Sequence, residues 1–194
     1  MKKYKLTNQI MKKYKLTNQN LQTYNGFQWE IGKKVTTEGN SNDQWLHYYD
    51  HPLLAVLFNR IHANIDKPKL FVVEASGKHL NDNGLKGGCT EMRLIKEISL
   101  PVITTNQRIA FGIYCALEVC KDKDFIKWAN NWLKDIDRTS ENASSAYSAY
   151  SAASSSSSAY SAAYSAAYAA AYATNVKSIN LIKLVEKSLK IINP

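Results

Sequence analysis

Residues 69–75 read KLFVVEA and residues 92–101 read MRLIKEISLP. The first stretch is short and rich in β-branched and aromatic residues, which predicts a central strand. In the second, Met92, Leu94, Lys96, Ile98 and Leu100 fall on one face of a strand that Pro101 ends. Between them, Gly84 to Thr90 predicts a loop. Upstream, Phe27, Trp29 and Ile31 alternate with polar partners, as a half-buried strand requires. Asp50-His51-Pro52 marks a helix start, since proline is tolerated in the first turn. Leu53, Leu54, Leu57, Phe58 and Ile61 make the apolar stripe of that helix. The order strand, helix, strand, loop, strand makes residues 21–103 a small α+β domain built on a mixed sheet.

Glycine and proline divide the rest of the chain. All eight glycines lie at or before Gly112, and no proline falls between Pro101 and Pro194. The absence of both breakers predicts that residues 104–194 form an all-helical C-terminal half. Thr104-Thr105 caps its first helix, with Ile109, Ile113, Leu117 and Cys120 at near-helical spacing. Asp122 or Asp124 caps the next, whose stripe is Phe125, Trp128, Ala129, Trp132, Leu133 and Ile136. From Ala143 to Ala173 the chain contains only Ala, Ser and Tyr. Alanine is the strongest helix former, so one long helix is expected over 140–174, weakest at Ser154–Ser158. Tyr160, Tyr164, Tyr168 and Tyr172 form an i,i+4 seam on it, and the alanines allow another helix to approach closely. That seam is the expected interaction surface, for a protein partner or for self-association. A closing helix carries Ile182, Val185, Leu189 and Ile192.

The net charge of +9 is unevenly placed. Residues 1–20 hold six lysines and no acid, residues 21–176 are balanced, and residues 177–194 hold four lysines against Glu186. Arginine, the preferred phosphate and base ligand, occurs only at Arg60, Arg93, Arg108 and Arg138. Nucleic acid is therefore not the expected partner. Residues 1–10 (MKKYKLTNQI) and 11–20 (MKKYKLTNQN) differ at one position of ten. This duplicated basic arm offers Met11 as a possible true start, with one copy entering the fold and the other lacking a matching surface. No stretch approaches the ~20 apolar residues of a spanning helix, and no export signal follows the first lysines, so a cytoplasmic protein without membrane contact is expected. Three cysteines at unpaired spacings rule out a disulfide framework and point to no metal site; no cofactor is expected.

The chemistry-bearing residues give weak patterns. His47 and His51 are four apart but straddle a helix start. Gly84-Leu85-Lys86-Gly87-Gly88-Cys89-Thr90 lacks the P-loop spacing and precedes a strand, which leaves a flexible turn. Cys89 has no selected histidine partner. Glu91 and Glu97 share the strand face opposite Met92 and Leu94, which reads as solvated.

Three resemblances follow from these residues. Gly26-Phe27-Gln28-Trp29, His47, Pro52-Leu53 and Val72-Val73-Glu74 resemble an uncharacterised domain family frequent in phage and bacterial genomes, although Trp45-Leu46 stands where that family has Gly-Phe. Ala116-Leu117-Glu118-Val119, Trp128, Trp132-Leu133 and the Ala143–Ala173 run are similar to alanine-rich putative immunity proteins. The layout of glycine-rich early strands and a later Glu-bearing strand resembles ADP-ribosyltransferases, but the early strands lack Arg and Glu91 lacks a paired acid. The first two imply a phage or mobile-element setting and a non-enzymatic protein-interaction module of immunity or host-modulation type. The third implies a nucleotide-using transferase with His47, His51 and Glu91 as its catalytic candidates. A nucleic-acid binder using the lysine arm and tyrosine seam is the remaining alternative.

Overall fold

KLFVVEA opens the central strand of an antiparallel sheet. The computed structural model describes residues 5–40, 44–136 and 179–191, with the backbone alone for 5–9. Two units are distinguished, Met1–Pro101 and Val102–Pro194. In the first, the elements are β1 (Lys5–Thr17), β2 (Lys34–Thr36), β3 (Leu46–Tyr48), α1 (Pro52–His62), β4 (Lys69–Asn81) and β5 (Gly87–Ile98). The sheet order is β1-β4-β5-β2, with β3 also on β5. Every ladder is antiparallel, which corrects the mixed sheet expected from the sequence.

The sheet curls back on itself. Just past β3, Tyr49 exchanges two backbone hydrogen bonds with Tyr14 of β1, at 2.8 and 3.0 Å. The circuit β1-β4-β5-β3 therefore returns to β1. The curl gathers Trp29, Leu46, Tyr48, Phe71, Val73, Ala75, Cys89, Met92 and Leu94 into one core cluster. Helix α1 packs against β1. His51 caps it, its Nδ1 accepting from the Leu53 N–H at 3.3 Å, and Pro52 occupies the first turn. Leu53, Leu54, Leu57 and Phe58 are buried as their spacing predicts, while Ile61 is only half-buried.

Four expectations change. First, Phe27–Ile31 is no strand: Gln28 and Ile31 make isolated bridges only, and Trp29 alone is buried. Second, the loop expected over Gly84–Thr90 shrinks to a turn, because β5 begins at Gly87. A side chain on Gly87 would run into the Tyr48 ring, and one on Gly88 would meet Trp45 at 3.1 Å, so these glycines let aromatic rings lie on the strand. Third, the apolar face of β5 stops after Leu94. The β4–β5 register shifts where Val73 faces Leu94 and Val72 faces Lys96, leaving Ile95 over. Such a bulge breaks the period of two, so Lys96 and Leu100 are exposed, and Glu91 and Glu97 no longer keep a common phase. Fourth, β1 runs through both copies of the repeat: Met11–Thr17 pair with Ala75–Lys69, and Lys5–Thr7 of the first copy also pair, with His79–Gly77.

The described residues of the second unit contain α2 (Thr105–Leu117), α3 (Lys123–Leu133) and α4 (Leu181–Ser188). Thr104 and Gln107 form a reciprocal capping box on α2, Asp122 caps α3, and Asn180 caps α4. Helix α2 packs against α3 and α4. The buried face of α2 includes Ile113 as expected, together with Phe111, Tyr114 and Cys115, while Ile109 and Leu117 are only half-buried and Cys120 lies beyond the helix end. Phe125, Trp128, Ala129 and Trp132 are buried as expected, but α3 ends before Ile136, which is exposed. Helix α4 buries Val185 as expected, together with Leu181, Leu184 and Ser188, while Ile182 and Leu189 are only half-buried. Tyr160, Tyr164, Tyr168 and Tyr172, and the helix expected over 140–174, lie outside the described residues.

Candidate functional site

Two places in the first unit carry unusual chemistry. One is a polar cluster around β3. The other is an apolar loop ahead of β2.

In β1, Lys13, Lys15 and Thr17 alternate with Tyr14 and Leu16, and the strand puts Lys15 opposite Phe71 of the core. Lys15 is buried; its ammonium donates to the His47 carbonyl at 2.8 Å and stands 4.9 Å over the Trp29 ring. Burial pushes its pKa down to about 8, with Cys89 opposing weakly. Burial pushes His47 down to about 4, helped by the charges of Lys86, Lys15 and His62 and opposed by Asp82. His62 is also driven to about 4, by burial first and Lys86 second. Its ring stacks on Tyr49 at 5.8 Å, with the Tyr49 hydroxyl 3.1 Å from Nδ1. Both imidazoles are therefore neutral at pH 7. The Tyr48 hydroxyl lies 3.2 Å from His79 Nδ1, beside the 2.6 Å Lys13–Asp50 ion pair. Burial raises the Tyr48 phenol, so it is a proton-bearing group. Burial also pushes the Cys89 thiol up to about 12, which makes it inert as a nucleophile near neutrality.

The three catalytic candidates read from the sequence are placed apart. His47 sits in β3 opposite Gly88. His51 caps α1, its ring 6.5 Å from that of Tyr14. Glu91 lies three residues farther along β5, roughly 10 Å at ~3.3 Å per residue. Its carboxylate is held by Lys34 of β2 at 2.7 Å and by the Ser76 hydroxyl at 2.9 Å. Those two hydrogen bonds keep it below the usual carboxylate range, the wrong direction for a general acid. Among the described residues, no three His, Cys, Asp or Glu side chains come together in a way that could hold a metal ion. None of the described helices is long and apolar enough to cross a membrane.

The apolar loop runs from Leu21 to Gly32. Trp29 anchors it: the ring is buried to 1%, its indole N–H donates to Thr23 Oγ1 at 3.0 Å, and its backbone N–H donates to the Leu21 carbonyl at 2.9 Å. Backbone bonds Thr23–Phe27 and Gly26–Thr23, both 3.0 Å, close the tip. Leu21 and Asn25 hold left-handed φ angles of 60° and 55°. A leucine there is strained by roughly 1–2 kcal/mol, and such strain persists only where surrounding contacts impose it. On this pinned frame Tyr24, Phe27 and Ile31 are 82%, 43% and 56% exposed. Single exposed apolar residues are ordinary, whereas this loop displays three large ones within eight positions.

Sequence reasoning missed Lys15 and Tyr24, and it offered His62 and His79 only as available histidines that no spacing selects. For Lys15 the signal was present: its position alternates with Tyr14 and Leu16, but a lysine-rich alternation reads as a solvated face. The alternation of Phe27 and Ile31 predicts the opposite role, that of half-buried strand residues.

Residues 11–106 match the family model described as Domain of unknown function (DUF7666). No curated protein and no solved structure matches the chain.

Proposed function

We propose that the protein is a non-enzymatic protein-interaction module whose binding surface is the Leu21–Gly32 loop. The observation that supports this reading is the outward display of Tyr24, Phe27 and Ile31 on a frame held by buried Trp29. Aromatic side chains presented rigidly lose little entropy on binding and carry large contact area, which suits a protein partner. The polar candidates support an enzyme less, because Glu91 is tied to Lys34 and Ser76. The proposal includes an all-helical C-terminal half in which the 140–174 helix and its tyrosine seam serve as scaffold or self-association element. It also includes a cytoplasmic setting and a phage- or mobile-element role of immunity or host-modulation type.

The test is crosslinking in expressing cells from a photoreactive residue placed at Tyr24. One discrete adduct is expected, with a host protein or a second copy, and it should vanish when Phe27→Ser and Ile31→Ser are added. Ile31→Ser should change stability by less than ~0.5 kcal/mol, and Phe27→Ser by about 1 kcal/mol, because its ring meets that of Trp29 edge-on at 5.2 Å. Heterogeneous adducts that persist in the double variant would refute the assignment.

A further inference from the structure

Residues 1–9 and 11–19 are the same nine amino acids in the same order. The second copy supplies Met11–Thr17, which lie along Ala75–Lys69 of β4. Ten is an even number, and a strand repeats its faces every second residue. Sliding the strand by one repeat would set Tyr4, Lys5, Leu6 and Thr7 where Tyr14, Lys15, Leu16 and Thr17 now stand. Each incoming residue is identical to the one it replaces and faces the same side. The β1 ladder already breaks register between Thr7 and Met11, so the two copies pair with β4 as separate segments.

We propose that β4 accepts either copy, giving the N-terminal strand a second register shifted by ten residues. In that register Met1–Thr7 lie along Ala75–Lys69, and residues 11–20 leave the sheet as a loop that rejoins the fold at Leu21. Closing a loop of this length costs little more than closing a shorter one, because the entropic cost grows only logarithmically. The buried ammonium over Trp29 is then that of Lys5, while Lys12, Lys13 and Lys15 pass to solvent.

Two features favour the observed register. Lys5–Thr7 add pairing with His79–Gly77. Asn18 also clamps the chain that follows: its Oδ1 accepts from the Asn20 and Gln22 N–H groups at 2.9 and 2.8 Å, and its Nδ2 donates to Gln22 Oε1 at 3.1 Å. Asn8 can reproduce the turn to residue 10 but has no glutamine four residues on. The second copy is therefore the major occupant and the first a reserve that takes over when the second fails.

The experiment uses the full chain and three variants: Leu16→Asp, Leu6→Asp and both together. Leu16 is 4% exposed, so a carboxylate in its place is incompatible with that register. Leu6→Asp should melt close to the unmodified chain, Leu16→Asp should still melt cooperatively but at a lower midpoint because the slide forfeits the Lys5–Thr7 pairing and the Asn18 clamp, and the double variant should lose the cooperative transition. A Leu16→Asp variant as damaged as the double variant would overturn the proposal, and so would a double variant as stable as the singles. Rescue of Leu16→Asp that rises with protein concentration would also overturn it, since that marks exchange between chains and not a slide within one.

Discussion

A lysine inside a core is the residue whose behaviour departs furthest from its composition. A carbonyl and an indole face hold the Lys15 ammonium. In the folded chain it releases its proton near pH 8, against an ordinary value of 10.5. Between those values the unfolded chain binds more protons than the folded one, so this group's contribution to stability rises with pH. Below pH 8 both states are charged and the burial penalty stands in full; above 10.5 it is gone. The gap between 10.5 and about 8 amounts to roughly 3 kcal/mol. Lys15→Met removes the titration and keeps the volume. Urea unfolding at pH 7 and at pH 10.5 should therefore show the unmodified chain gaining on the variant by about 3 kcal/mol. Cys89 and Tyr48, whose raised values work in the opposite direction at alkaline pH, are present in both proteins and largely cancel in the difference. A difference that stays constant across this range would mean that the Lys15 ammonium is solvated in the native state.

At the scale of elements, the sequence was most legible where one physical rule acts alone. The α1 cap, its proline and most of its stripe follow from local propensity, as do the caps at Thr104 and Asp122. KLFVVEA reads correctly as central because β-branched residues buried on a sheet leave little ambiguity. The failures lie where tertiary contact overrides a local rule. Gly87 and Gly88 read as a flexible turn, since glycine breaks isolated strands, yet they are strand residues made necessary by Tyr48 and Trp45. Phe27 and Ile31 alternate like strand residues, but strained Leu21 and Asn25 turn that segment into a loop. Of the candidate site, only the residue types were legible, because the curl that joins Tyr14 to Tyr49 has no signature in either strand. The account of the glycines can be tested directly. Gly87→Ala should cost about 2 kcal/mol, within the range for overpacking a core, and Gly88→Ala less, since its contact with Trp45 is only tight. In a Tyr48→Leu background the cost of Gly87→Ala should fall, a coupling that urea midpoints would reveal. Equal costs in both backgrounds would show that some other feature demands the glycine.

For the whole molecule, the question is what a charge of +9 does. Taken as a free arm, the six lysines of residues 1–20 would form a cation-rich tail able to collect phosphates. The place of Lys12, Lys13 and Lys15 in β1 changes that count. Lys13 is paired with Asp50 at 2.6 Å, and Lys15 is buried against Trp29. Lys12 is exposed, opposite Glu74 of β4. A strand also fixes its side chains, so those lysines cannot gather on one nucleic-acid backbone as a tail could. Elsewhere the residues from 21 to 176 carry equal numbers of basic and acidic groups. Each phosphate neutralised contributes close to one unit to the slope of log affinity against log salt, for duplex DNA about 0.9. With Lys13 and Lys15 held in this way, binding to DNA or RNA should be weak, its salt slope shallow, and the signal gone by ~200 mM salt, where screening shortens to below ~8 Å. Fluorescence anisotropy of labelled single- and double-stranded oligonucleotides across a salt series measures both quantities. Persistence of binding above that salt concentration, together with its loss when Tyr160, Tyr164, Tyr168 and Tyr172 become alanine, would replace the interaction module with a stacking surface for single strands, because base–aromatic stacking survives salt that screens lysines.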